Sequence, residues 1–298
     1  MQYDLRLVIR YDFDRPTGAG RQLLRIQPAD MPGVQSLLAT ETTITPEPSE
    51  RRGFTDFFGT EVLEVVMAAG LTKCEIAMTA RVVRHAQGEE LDMSPPLSRL
   101  PDELNEVNGV GPTSPHHFLS ASPRIAPDAA IAAYAARATA KSETARTAIE
   151  DLGRAIHNDM AFDSKATEVD TSPSEAFALK RGVCQDFAQI MIAGLRSLGV
   201  PAAYVGGFLR TLPPPGKAKL QGADAMHAWV RAWAGTEAGW VDYDPTNACF
   251  VDTDHIAVGQ GRDYTDVAPV TGALRMDGGQ KGSHAVDLIE IPPTKRQQ

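Results

Sequence analysis

At the start of the chain Tyr3, Leu5, Leu7, Ile9, Tyr11 and Phe13 alternate with Asp4, Arg6, Val8, Arg10 and Asp12. A two-residue period held this long describes a β-strand with one face buried and the other wet. Such a strand needs neighbours beside it and a second layer over its apolar face, so the chain must open with a sheet. Val34 to Thr45, Thr60 to Ala68 and Lys73 to Arg84 are further runs rich in β-branched residues, bounded by Gly, Pro or charged residues. With no helical pattern among them, they predict an antiparallel β-sandwich over residues 1–95.

Seven of the 21 prolines fall between Gln87 and Pro127. Proline fixes φ and lacks an N–H, so residues 96–127 are expected to form a connection without regular structure. Beyond it the pattern turns helical. Ala129 to Ala140 is alanine-rich, and Ser142-Glu-Thr-Ala starts a second helix that runs through His157. Strands return from Ala202, and Ala285 to Ile291 reads as a closing strand. The expected architecture is therefore α+β. An N-terminal antiparallel sandwich (1–95) and a connection (96–127) lead into a second domain over 128–298, with helices packed on an antiparallel sheet. A chain of 298 residues has the length for two such domains without disulfide staples.

Charge narrows the function. Twenty-nine Lys and Arg against 38 Asp and Glu leave a net charge of −9, which argues against nucleic acid and against an acidic membrane surface as partners. The N-terminus carries a charge at nearly every third residue and lacks the apolar core of a secretory signal. No window approaches the roughly 20 apolar residues of a transmembrane helix. Cys74, Cys184 and Cys249 form no C-x-x-C pair, so a reducing cytoplasm is the expected compartment, and neither metal nor cofactor is expected.

The chemistry concentrates between residues 181 and 247. In the segment Arg181 to Pro201, Phe187, Ile190, Met191, Leu195 and Leu198 recur at helical spacing, and Gly199 followed by Pro201 supplies a stop. Cys184 then lies at a helix start, where the dipole and free N–H groups favour the thiolate. Met226-His227-Ala-Trp-Val-Arg-Ala-Trp and Trp240-Val-Asp-Tyr-Asp244 read as strands joined by the turn residues Gly235 to Gly239. A hairpin centred between Gly235 and Thr236 pairs residue 231 with 240, 229 with 242 and 227 with 244. His227 then faces Asp244 with Cβ atoms about 4.5–5.5 Å apart, close enough for a carboxylate to orient the imidazole. Asp242 shares that face and is the alternative orienter.

Gly182-Val-Cys184-Gln-Asp-Phe-Ala, Gly199-Val-Pro-Ala-Ala-Tyr-Val-Gly-Gly-Phe, His227-Ala-Trp-Val and Gly239-Trp-Val-Asp-Tyr-Asp244-Pro-Thr-Asn resemble, in this order, the motifs of the transglutaminase-like superfamily. Ala161-Phe-Asp and Thr167-Glu-Val-Asp-Thr-Ser-Pro resemble that family's approach to its cysteine. The strand-rich N-terminus and Gly261-Arg-Asp-Tyr-Thr-Asp-Val-Ala-Pro-Val are similar to its bacterial branch. The resemblance implies a papain-like core with Cys184 as nucleophile, His227 as base and acid, and Asp244 as orienter. It also implies acyl transfer from a protein or peptide amide through a thioester, passed on to water or to an amine, with hydrolysis the more bacterial outcome. The backbone N–H of Cys184 is one natural oxyanion donor.

The remaining reactive residues have plainer readings. Cys74 belongs to a strand, Cys249 to packing near the site, and His116-His117 to a surface pair. Trp229, Trp233 and Trp240 are expected in the core or along a cleft. Residues 211–222, with three prolines, Lys217 and Lys219, form a loop or a rim over substrate. Two rivals to catalysis are a binding module on the same fold and a metal protein using Cys184, His227 and Asp244 as ligands.

Overall fold

The alternation at the N-terminus becomes strand β1 (Gln2–Phe13), whose Tyr3, Leu5, Leu7, Ile9 and Phe13 are buried while Arg6 and Arg10 are exposed. Val8, expected on the wet face, is buried as well. The computed structural model describes residues 1–88, 91–211, 222 and 224–292. The strands β2 (Gly20–Leu24), β3 (Gln35–Thr45), β4 (Glu50–Thr55), β5 (Glu61–Met67) and β6 (Lys73–Arg84) follow. The sequence reading missed β2 and β4. β4 is exposed along nearly its whole length and so carries no buried alternation to find.

Next come α1 (Leu100–Glu106), α2 (Ala129–Ala138), α3 (Ala145–Asp159), β7 (Ala161–Phe162), α4 (Pro173–Leu179), β8 (Arg181–Gly182) and α5 (Cys184–Ser197). The chain finishes with β9 (Ala202–Leu209), β10 (Ala225–Trp233), β11 (Trp240–Asp244), β12 (Cys249–Phe250), β13 (His255–Gly261), α6 (Tyr264–Val267), β14 (Val270–Leu274) and β15 (Gln280–Ile291). The short helix α1 corrects the expectation that the proline-rich stretch holds no regular element. Pro101 sits in its first turn, where a missing N–H leaves no bond unmade. Among the described residues no helix is long and apolar enough to cross a membrane.

Two four-stranded antiparallel sheets, ordered β15-β1-β6-β3 and β14-β2-β5-β4, enclose one apolar cluster. Leu5, Leu7, Ile76 and Met78 enter it from the first sheet, and Leu24, Val65 and Met67 from the second. The C-terminal strands correct the expected boundary. β15 pairs with β1 from Gln2↔Ile291 to Phe13↔Gln280, and β14 pairs with β2, so the closing strand completes the N-terminal sheet rather than the sheet of the second domain.

That second, five-stranded sheet has the order β12-β11-β10-β9-β13, and α5 lies across β9 and β10 with α2, α3 and α4 around it. Ile190, Met191 and Leu195 of α5 share a core with Ile149 and Leu152 of α3 and with Val230 and Ala232 of β10. Gly194 lets α5 approach its neighbours, since a Cβ there would lie 3.0 Å from Leu152 and 3.2 Å from Ala135. The helix ends in a Schellman motif. Gly199, at φ +80°, donates to Arg196 O, and Val200 donates to Leu195 O.

Candidate active site

Cys184 is the first residue of α5 and is partly exposed. The turn that presents it is held from both sides. Asp186, in the first helical turn, accepts the Val183 N–H at 2.8 Å and the Thr167 hydroxyl at 2.7 Å on Oδ2. Gly182 makes room for that carboxylate, because a Cβ at this position would lie 2.4 Å from Asp186 Oδ2. Burial pushes the Asp186 carboxyl up in pKa, and the Thr167 and Val183 hydrogen bonds offset only part of this.

His227 stands near the start of β10 and Asp244 at the end of β11, both buried. His227 Nε2 lies 2.7 Å from Asp244 Oδ2, and the Cys184 side chain is near enough to act on the charge of the ring. The imidazole thus has the carboxylate as its hydrogen-bond partner and the thiol as a neighbour. Burial works against its charge, but the hydrogen bonds and charges of Asp244 and Cys184 prevail and push its pKa up to about 10. Burial likewise opposes the Asp244 carboxylate. Hydrogen bonds from His227, His255 and Asn247 and the charge on His227 nevertheless hold it well below the usual range. Its Oδ1 also accepts the Thr246 N–H at 2.8 Å and the Asn247 N–H at 3.2 Å.

The hairpin register differs from the expected one. Trp233 pairs with Trp240, Arg231 with Asp242 and Val230 with Tyr243, so the pairing has moved by two residues and its continuation sets Asp244 across from Trp229. A slip of two leaves every side chain on its face, and His227 reaches Asp244 diagonally instead of directly. Gly235 and Gly239, at φ +106° and +65°, allow this wider turn. Asp242 is committed elsewhere, with Arg231 Nε at 2.6 Å and Nη2 at 2.8 Å.

Sequence reasoning missed His255. It reaches Asp244 from β13, with Nε2 3.1 Å from Oδ2, and its buried Nδ1 has no partner among the described residues. A lone histidine gives no spacing signal, and only the antiparallel pairing of β13 with β9 brings it here. His227, Asp244 and His255 offer ligand atoms within 4.8 Å of one another, a spacing that also suits a metal ion. This trio differs from the Cys184, His227 and Asp244 set considered for metal, because both Nε2 atoms converge on the Asp244 carboxylate and Cys184 is not part of the group.

The model of the transglutaminase-like superfamily matches residues 132–245, and that of the bacterial transglutaminase-like N-terminal region matches residues 3–83. An uncharacterized protein of Mycobacterium tuberculosis is 33% identical over 252 residues, spanning 80% of this chain and 77% of its own length. The chain belongs to the transglutaminase-like superfamily. Another uncharacterized relative of this transglutaminase-like protein, from Mycobacterium leprae, is 29% identical over 94% of this chain and 96% of its own. A crystal structure from Cytophaga hutchinsonii, described as a candidate cysteine protease, shares the fold with a TM-score of 0.75. It is 20% identical and covers 99% of this chain and 92% of that one.

The other residues singled out in the transglutaminase-like sequence fall away from the reacting groups or beside them. Cys74 is buried in the N-terminal core. Cys249 pairs with Asp244 across β12 and β11, and burial together with Asp244, Asp252 and Asp254 pushes its thiol up to about 11. His116 and His117 cap carbonyls of Val107, Val110 and Gly111 at the surface. Trp229 and Trp233 are core residues, whereas Trp240 is partly exposed. Of the proline-rich rim, residues 212–221, with Lys217 and Lys219, lie outside the described residues.

Proposed function

We propose that this transglutaminase-like protein is a cysteine amidohydrolase or peptidase acting on a protein or peptide amide. The observation that carries the reading is the His227 ring held by Asp244 Oδ2 at 2.7 Å with the Cys184 side chain, at the start of α5, beside it. Cys184 attacks the amide carbonyl while its proton resides on His227. The tetrahedral intermediate expels the amine, which takes that proton from His227, and a thioester to Cys184 remains. Water, deprotonated by the same imidazole, then releases the acid. Asp244 keeps the ring oriented and stabilises its cationic form throughout. The Cys184 N–H, in the helix turn whose N–H groups lack partners within the helix, serves the oxyanion.

Supporting the assignment of the nucleophile, burial pushes both other thiols up in pKa. The test is to incubate the chain with a mixture of peptide amides, quench with acid and weigh it. An acyl adduct on the Cys184 peptide is expected, absent in Cys184→Ala and His227→Ala. Turnover by either variant within tenfold of wild type, about 1.4 kcal/mol in barrier, overturns the mechanism.

A second reading, transfer of the acyl group to an amine, draws on one further similarity. A protein-glutamine gamma-glutamyltransferase of Pseudomonas aeruginosa is 36% identical over 98 residues, which span 32% of this chain and 14% of that protein. Incorporation of a fluorescent primary amine into a glutamine-bearing protein, faster than release of free acid, decides for it.

A further inference from the structure

A cavity of about 520 Å³ opens where the N-terminal strands meet the β10–β11–β12 edge of the second sheet. Arg84, Arg146 and Arg231 line it together with Asp242, Asp252, Trp240, Phe250, Met31 and Val34. Arg231 is neutralised by Asp242 through two hydrogen bonds. The other two guanidinia are not so matched. Arg84 is only 3% exposed, yet its hydrogen bonds go to two carbonyls, Val34 O at 3.3 Å and Asp252 O at 3.5 Å. Arg146 stands over the Phe250 ring at 4.5 Å. Among the described residues neither has a carboxylate at ion-pair distance.

A guanidinium carries five donors and a permanent charge, and holding it in a low-dielectric site with two long carbonyl contacts is unfavourable. Burial pushes the Arg84 pKa down, Arg231 adds to this, and Asp242 and Asp252 pull the other way without reaching it. The exposed Asp252 lies on the rim. Two planar donor groups without anions, beside a partly exposed indole and two partly exposed aliphatic side chains, describe a site for an oxyanion attached to an apolar body.

We propose that this cavity binds a small carboxylate with an aryl or alkyl body, its carboxylate held by Arg84 and Arg146 and its body against Trp240, Met31 and Val34. A planar carboxylate matches the forked donors of each arginine. None of its lining residues is Cys184, His227 or Asp244, so the proposal stands whatever reaction that group performs.

The probe is phenylacetate, titrated into the full chain and followed by calorimetry and tryptophan fluorescence, with acetate and inorganic phosphate as comparison arms. One saturable site for phenylacetate is expected, with at least tenfold weaker binding of acetate and phosphate. Arg146→Gln is expected to weaken phenylacetate at least tenfold, and Arg146→Lys to weaken it less. Arg84→Gln is expected to do the same, but replacing so buried a side chain also costs stability, so the partly exposed Arg146 carries the decision. Absence of saturation by phenylacetate, or unchanged affinity in Arg146→Gln, overturns the site. Equal affinity for phosphate overturns the apolar body.

Discussion

Asp242 and Asp244 share one face of β11, and their partners give them different work. Asp244 receives His227, His255 and Asn247, whereas Asp242 receives the Arg231 fork. Asp244→Asn replaces an acceptor oxygen with an amide and removes the charge that stabilises imidazolium, so turnover is expected to fall by about 10²–10⁴ with little change in fold. Asp242→Asn leaves the partly buried Arg231 without its counter-charge, with Gln260 Oε1 at 3.0 Å as a neutral acceptor. It is expected to lower stability by about 1–3 kcal/mol while turnover in the folded fraction stays within a few-fold. Steady-state rates and denaturant midpoints measured on both variants check the pair, and the reverse pattern sinks the assignment of Asp244. The same ion pair sets a pH dependence. His227 is raised, so its contribution to stability is complete below the unfolded value of about 6.5 and is lost as pH climbs toward about 10. Asp244 is lowered, so its contribution is present above the unfolded value of about 3.9 and fades on acidification. The stability gap between wild type and His227→Gln should be widest from about pH 4 to 6.5 and close progressively toward pH 10. A gap that grows with rising pH contradicts the charged pair.

At the scale of elements, the start of α5 is the part whose placement the chemistry most needs. Gly182, Asp186 and Thr167 hold it, and Gly182→Ala would drive a Cβ against the Asp186 carboxylate. We expect this substitution to cost at least tenfold in acyl-adduct formation, because displacing Asp186 re-aims the turn before Cys184. Thermal unfolding reports the accompanying loss of stability, and full activity in Gly182→Ala would show that the turn tolerates the shift. Much of this level was legible beforehand. The helix around Cys184 announced itself by apolar spacing and a Gly199 stop, and the first strand by alternation. The hairpin register was not, because sequence specifies which face a strand residue occupies far more strongly than which neighbour it opposes. That is why His227 and Asp244 meet although the expected centre was displaced, and why Asp242 could be separated from Asp244 only by its bonds to Arg231. His255 lay beyond reach since its role depends on β13 joining the far edge of the same sheet.

The whole molecule is tied together by chain segments distant in sequence, which local patterning does not reveal. β15 returns to β1, so the helices and the five-stranded sheet lie within a chain whose two ends share one sheet. Gln35 adds a second tie. Fully buried, its side-chain amide donates to Ala29 O at 2.7 Å and Ala257 O at 2.9 Å and accepts the Ala257 N–H at 2.9 Å. It thereby joins the start of β3 to the middle of β13, two residues from His255. Phe208, Ile256 and Val258 of the second sheet also enter the N-terminal apolar cluster, so the two parts share core as well as hydrogen bonds. Unfolding in denaturant is accordingly expected as one cooperative transition. Gln35→Leu keeps a side chain of similar size but replaces the amide with an apolar group and leaves the buried Ala257 N–H unpaired, a loss of about 1–3 kcal/mol. The expected result is a lower midpoint with the single transition and its slope retained, together with slower acyl-adduct formation as β13 and His255 loosen against Asp244. Two separated transitions in wild type would show that the N-terminal sheets and the five-stranded sheet with its helices melt independently, and an unchanged midpoint in Gln35→Leu would show that this amide does not hold them together.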